Sequence, residues 1–405
     1  MTVTLEEAAR AAFRSAFDGE PTILAEAPGR VELLGNHTDH NDGLVLAAAI
    51  DLSTVVVGRP RPGPVARVWS AIKGAGDSFD VGDIGRQPPK DWRNYHRGVC
   101  WALAGAAGPL VEGFDAAIVG DVPLGGGLSS SASLQGAMAL FLLHAGLLSR
   151  SEETGLDDLD DRARLALARL LRRSENEFVG VQSGPLDQFT SLFGRRDHAL
   201  TLDCRSFEYE RLPLGDPPPA VVVCDTKDPH ELADGMYNRR RAECERAVAY
   251  FRRQRGADRV SSLRDVTLDD LDAARDALDP VAFRRARHVL TENARVAAGA
   301  AALRDGDVAA FGALMSASHA SSRDDFENSS PALEALIAAA GSSPGFLGGK
   351  LTGAGWAGCT VNLVAPGHAD AFKASVRDRY RSATGTDPDI HVCHAAQGAH
   401  GRALR

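Results

Sequence analysis

The chain has 405 residues, room for two domains of ordinary size. Hydrophobic residues make up 44% and charged residues 24%, which excludes a disordered chain. A net charge of −9 without a long basic tract argues against a nucleic-acid partner. Only five of the 45 cations are lysine, and the short arginine runs at 172–173, 239–241 and 284–285 read as solvated helix faces. The six cysteines form no CxxC pair and read as reduced, mostly buried thiols of a cytoplasmic protein. The N-terminus, amphipathic and of mixed charge, does not resemble a signal peptide. The longest mostly apolar stretch, Gly136 to Leu148, contains His144 and is too short to cross a bilayer, so no membrane partner is expected.

In chain order, Leu5 to Phe17 has helical spacing. Residues 23–58 read as strands broken by the polar loop NHTDHNDG, and strand signals recur at 65–72 and 77–81. PPKDW opens a helix from about Asn94 to Ala107. A strand, FDAAIVGDV, leads through PLGGGLSSS into a helix from Ala132 to about Leu148. A second helix, about 158–178, ends in GVQSGPLDQFTSLFG. Strands follow at 198–203 and 219–225, and a mostly helical block fills 232–340 with turns near Gly256, Asp279 and Gly306. The tail returns to strands at GKLTGAG and CTVNLV, a helix at 368–383 and a strand near 389–393. Strand-rich and helix-rich parts alternate unevenly, which predicts two α+β lobes rather than a doubly wound sheet. The Pro-rich LPLGDPPPA suggests a division into 1–205 and 206–405.

Three clusters can carry chemistry. In GDVPLGGGLSSSAS, residues 120–133, consecutive glycines allow close backbone approach to a ligand. The serines stand where a helix begins, and free N–H groups and the helix dipole make such a terminus an anion site. Taken alone, a Ser-capped strand–helix turn is an equal reading; the density of Gly and Ser favours phosphate. No GxxxxGK[ST] loop occurs. The second cluster, Gly353 to Gly358, matches GxGxxG formally, but a strand follows it rather than a helix, so a dinucleotide site is rejected in favour of a tight turn. The third runs from Arg30 to Gly43 and packs two His and two Asp into its loop. Metal ligation ranks there below recognition of a polyol, because HEXXH is absent. Glu175 and Asp187, twelve residues apart, form a carboxylate pair able to hold Mg2+ and take a hydroxyl proton.

These motifs, in this order, resemble the galactokinase branch of the GHMP small-molecule kinases. That branch carries a GRVNLIGEHTDYNGG-like run, here GRVELLGNHTDHNDG, then PxGGGLSSSA at 123–132, then a TGGGFGG-like turn, here Thr352 to Gly358. Further matches, including CDTKDPHELADGMYNRRRAECE, extend the resemblance over roughly residues 20 to 365. It implies a two-lobed α+β GHMP kinase fold with the active site in the interlobe cleft. It further implies ATP- and Mg2+-dependent phosphorylation of a galacto-configured sugar, most readily galactose, at the C1 hydroxyl. Related sugars (galacturonate, arabinose, N-acetylgalactosamine) and a catalytically inactive sugar sensor are the alternatives. A monomer or weak homo-oligomer is expected.

Carried over residue by residue, the resemblance makes Asp187 the catalytic carboxylate and Arg30 its partner. Sugar contacts map to Asn36, His37, Asp39, Gly184 and Tyr237. The phosphate loop maps to Gly125, Gly126, Gly127, Leu128, Ser129, Ser130 and Ser131, with Ser131 and Glu175 as Mg2+ ligands and Trp92 stacking on adenine. Asn36 departs from the motif's Glu, which implies relaxed discrimination at the sugar's C6, and no Arg or Lys stands beside it in sequence.

Overall fold

Two long apolar strands organise the first half of the chain. β1 (Ile23–Leu34) and β2 (Leu44–Arg61) pair antiparallel and are buried along most of their length, because helices or loops cover both faces. The computed structural model describes residues 3–150, 155–156, 159–228 and 235–404. Beside β2 lie β5 (Gly113–Gly120), then β3 (Val65–Ser70) and β4 (Ala75–Asp80). All pairs in this sheet are antiparallel except β3 with β5. The start of β2 also pairs with β6 (His198–Asp203), which pairs with β7 (Tyr209–Pro213). The far end of the chain returns as β12 (His400–Ala403) against β1. The second sheet has the order β11 (Asp389–Cys393), β8 (Ala220–Asp225), β10 (Cys359–Val364), β9 (Phe346–Leu351), all antiparallel.

Helix α1 (Leu5–Ala16) is opened by a capping box, in which Thr4 Oγ1 accepts from the Glu7 N–H and Glu7 reaches back to the Thr4 N–H. α2 (Arg93–Ala107) and α3 (Ser130–His144) pack together, α3 lying on β1 and β2. α3 carries apolar residues on all its faces and is buried continuously from Gln135 to Leu143. Its Phe141 is wholly buried against Gly58, where an added Cβ would stand 2.6 Å from the ring. α4 (Asp161–Arg173) runs into a π-helical turn, Ser174–Val179, and α5 (Leu186–Phe193) follows. The second half carries α6 (Met236–Arg255), α7 (Leu268–Ala273), α8 (Pro280–Arg304), α9 (Val308–Ser321), α10 (Pro331–Gly341) and α11 (Ala369–Thr384).

One apolar core joins the sheets: Val31 and Leu33 of β1 meet Val221 and Val223 of β8, Val361 of β10, and Val296 and Phe311 of the helices between. The architecture is the two-lobed α+β fold expected. By sheet membership, β7 and β12, both beyond residue 205, belong to the first lobe. Three local expectations change. The helix expected from Ala132 to Leu148 runs from Ser130 to His144, so two of the motif's serines lie inside its first turn. The helix expected over 158–178 is α4 plus the π turn, and residue 158 lies outside the described residues. α5, β7 and β12 have no counterpart in the sequence reading.

Candidate active site

Alternation along β1 puts Arg30 and Glu32 on one side, and both line a cleft of about 590 Å3. α5 supplies Asp187 at its first turn, the β9–β10 turn supplies Gly353 and Ala354, and Tyr237 at the start of α6 closes the rim. Asp187 is held on both oxygens. Oδ1 accepts from Arg30 Nε (2.8 Å) and Nη2 (2.5 Å), and Oδ2 accepts from Ser129 Oγ (2.7 Å). Arg30 Nη1 reaches on to the Gly127 carbonyl at 2.5 Å, and the Arg30 N–H donates to the Leu128 carbonyl. One guanidinium therefore fixes both the carboxylate and the glycine loop.

The loop's backbone needs its glycines. Gly127 has φ +71°, and a Cβ there would lie 3.1 Å from the Thr352 carbonyl, so the loop seats directly on the β9–β10 turn. The tight turn expected from its glycines thus closes against the glycine loop. Ser129, in left-handed backbone just before α3, does not cap the helix, since its hydroxyl is turned to Asp187. The first N–H groups of α3 are thus left without a side-chain cap at the positive end of the helix dipole. Ser130 and Ser131 line an adjoining pocket with Trp92, Tyr95, Lys73, Lys90 and Leu134, a slot of mixed polarity beside the uncapped start of α3. The sequence reading did not single out Tyr95, Lys73 or Lys90.

Glu175, in the π turn, is buried against this loop. Gln188 Nε2 (2.5 Å) and Ser183 Oγ (2.9 Å) donate to it, and Ser131 bonds to it as well. Burial and the nearby Asp187 charge push its carboxyl pKa up, against those hydrogen bonds. A cation between the two carboxylates would relieve both penalties, so the donor set fits a hard divalent ion. Among the described residues no group of three or more His, Cys, Asp or Glu forms a complete metal cage.

The third motif's loop stacks its rings at the other side of the cleft. His37 lies face to face with Phe326 (4.4 Å) and near Tyr237 (5.3 Å). Burial holds its pKa down at about 3, so it is neutral; its Nε2–H donates to the Ala354 carbonyl (3.0 Å). Asp39 is partly buried, which raises its pKa, yet the hydrogen bond from His40 brings it down to about 2. A Cβ on Gly184 would meet Asp39 Oδ2 at 2.0 Å, so only glycine lets that backbone lie on the carboxylate.

Asn36 lines the cleft, but its amide is already in use. Nδ2 donates to Glu32 Oε1 (3.0 Å) and the Gly353 carbonyl (2.9 Å), while Oδ1 accepts from Asn328 Nδ2 (2.9 Å) and Ser322 Oγ (3.4 Å). The expectation of no cation near Asn36 holds only along the sequence: Lys350 Nζ bonds Glu32 Oε1 at 2.7 Å. Glu32 and Lys350 are 318 positions apart, and no local pattern signals them.

Residues 11–60 match a galactokinase galactose-binding signature, 94–195 the GHMP kinase N-terminal domain and 300–382 the GHMP kinase C-terminal domain. Galactokinase from Roseiflexus sp. is 43% identical and galactokinase from Homo sapiens 40%, each alignment covering 96% of this chain and 95% of the relative. A crystal structure of Lactococcus lactis galactokinase complexed with galactose superposes with a TM-score of 0.89 at 32% identity, over 98% of this chain and all of that one. A mevalonate kinase at 16% identity and a TM-score of 0.59 shares the fold. The ring-lined loop lies within that signature, the uncapped helix start behind three glycines and the clamped carboxylate both lie within the N-terminal domain, and the chain belongs to the galactokinase family of the GHMP kinases.

Proposed function

We propose that this chain transfers the γ-phosphoryl group of ATP to the C1 hydroxyl of galactose. The observation that carries the reading is Asp187, a carboxylate fixed on both oxygens by Arg30 and Ser129 beside an uncapped helix N-terminus. Such a group is positioned rather than activated, which suits phosphoryl transfer, where placement and charge neutralisation dominate. Asp187 takes the proton of the C1 hydroxyl as the new O–P bond forms, and the bond to the β-phosphate oxygen breaks to release ADP. Arg30 holds Asp187 in place and offsets negative charge on the moving phosphoryl group. Gly125 to Ser131 and the first turn of α3 cradle the phosphates, and Trp92 forms a wall of the nucleotide slot. Ser131 and Glu175 would hold Mg2+, which supplies charge neutralisation on the nucleotide. His37, Asp39, Gly184 and Tyr237 surround the sugar, with neutral His37 offering Nδ1 as an acceptor and Asp39 both carboxylate oxygens. The six buried, unpaired cysteines support a cytoplasmic enzyme, which we take to be a monomer or weak homo-oligomer.

The test is ADP release across galactose, arabinose, galacturonate and N-acetylgalactosamine, with the product identified by phosphorus NMR. Galactose 1-phosphate is expected as the main product. No ADP above the sugar-free rate with any sugar would overturn the assignment.

A further inference from the structure

The corner of the cleft around Glu32 has an unusual charge arrangement. Lys350, on β9, is wholly buried, and its ammonium bonds Glu32 Oε1. Asn36 donates to the same oxygen. Among the described residues no donor reaches Glu32 Oε2, nor is that atom a sealed, partnerless one. Glu32 itself lines the cleft two residues along β1 from Arg30. One carboxylate oxygen is thus anchored by a buried cation and an amide, and the other is left for whatever enters. Asn36 is the opposite case, with both N–H groups and the carbonyl oxygen engaged by protein partners and the residue 1% exposed. A sugar hydroxyl cannot bond Asn36 without displacing one of them. The motif GRVNLIGE places an amide at the position of Glu32 and a carboxylate at the position of Asn36. This chain exchanges the two, GRVELLGN, and the corner keeps its single negative charge.

We infer that Glu32 is a specificity-determining residue of this enzyme: its Oε2 accepts a hydrogen bond from one galactose hydroxyl other than the one that reacts, while Lys350 and Asn36 are positioning residues that aim it. This rests on the galactose 1-kinase reading above. Lys350 suits the role because a buried ammonium bonded to one oxygen fixes the carboxylate in one rotamer. A carboxylate acceptor gives a hydroxyl a charge-assisted bond, which an amide cannot.

The test is a deoxy-sugar panel. Wild type, Glu32→Gln and Glu32→Asp are assayed on galactose and on galactoses lacking one hydroxyl at a time, with unfolding temperatures measured for each protein. Because Glu32→Gln strands the buried ammonium, Glu32→Gln with Lys350→Met is carried in parallel as a neutral pair of similar volume. Glu32→Gln and the double variant are expected to lower kcat/KM for galactose by roughly 10- to 100-fold, the span of a charge-assisted bond to an uncharged group, mainly through KM. Glu32→Asp, which keeps the ion pair, falls between. On one deoxy sugar the variants and wild type should agree within about twofold, because the bond is already missing. An equal loss on every sugar by a folded variant, or no loss on galactose, overturns the inference and makes the pair structural. Failure of the wild type on galactose itself would instead overturn the parent reading.

Discussion

Asp187 has both oxygens occupied by donors, so its replacement has a defined chemical outcome. In Asp187→Asn the amide cannot take a proton, and its NH2 must face either the Arg30 guanidinium or the Ser129 hydroxyl, both of which now donate. Loss of a positioned base costs about 10²–10⁴ in rate, and kcat of a folded Asp187→Asn protein should fall by that range. Wild-type turnover by folded Asp187→Ala would remove the residue from the mechanism. Glu175 behaves differently. Its carboxyl is already pushed toward the neutral form by burial and by Asp187, and its partners Gln188 and Ser183 donate to it. Glu175→Gln should therefore fold while weakening metal affinity. Ser131→Ala and Glu175→Gln are expected to move the Mg2+ concentration at half-maximal rate upward several-fold and leave the galactose KM within about twofold. A Mg2+ titration of both variants checks this, and unchanged curves in both would separate these residues from the metal.

The glycines of the turns set how closely the elements approach. Gly184→Ala would place a Cβ 2.0 Å from Asp39 Oδ2. Either Asp39 or the segment before α5 must move, and both line the sugar side of the cleft. The galactose KM should rise at least about tenfold, with a smaller change in the ATP KM. Gly146→Ala is the control: it also has positive φ (+64°) but nothing within 4 Å, so it should lose only about 1 kcal/mol of stability and keep its kinetics. An unchanged galactose KM in Gly184→Ala would show that Asp39 yields freely. These motifs were legible in sequence because each lies within about a dozen contiguous residues, where glycine, serine and histidine density carries the signal. Their partners were not. Lys350 sits in GGKLTG, which reads as an ordinary strand, and becomes a buried cation only because the fold brings its side chain to Glu32 of β1. Ser129 reads as one loop serine among three, and only the left-handed turn before α3 directs its hydroxyl to Asp187. β12 is short and reads as tail, since what makes it a strand is the exposed edge of β1.

At the scale of the molecule, the two sheets share one core and the chain's end is pinned to the first sheet, so acid should act on the fold as a unit. Three of the buried histidines show how. His37 donates through Nε2 to a carbonyl. His288 donates through Nε2 to the Asn36 carbonyl and accepts at Nδ1 from Ser321. His96 bonds Asp77 at 2.7 Å. Burial lowers the pKa of all three, that of His37 to about 3. A lowered histidine pKa means that the unfolded chain binds protons which the folded chain refuses. Its stability contribution is therefore complete above about pH 6.5 and is lost as pH falls, for His37 down to about 3. At pH 5 the neutral His37 alone removes about 2 kcal/mol. Glu175 and Asp121, whose pKa values are pushed up, act in the opposite sense but are outnumbered. Denaturant unfolding at pH 7.5 and pH 5.0 should show a lower stability at pH 5.0, and His288→Gln, which cannot be protonated, should make that loss smaller even if it lowers stability at pH 7.5. Equal stability at the two pH values would mean that the buried imidazoles accept protons within the folded state, and that the ring-lined loop at the sugar cleft tolerates charge.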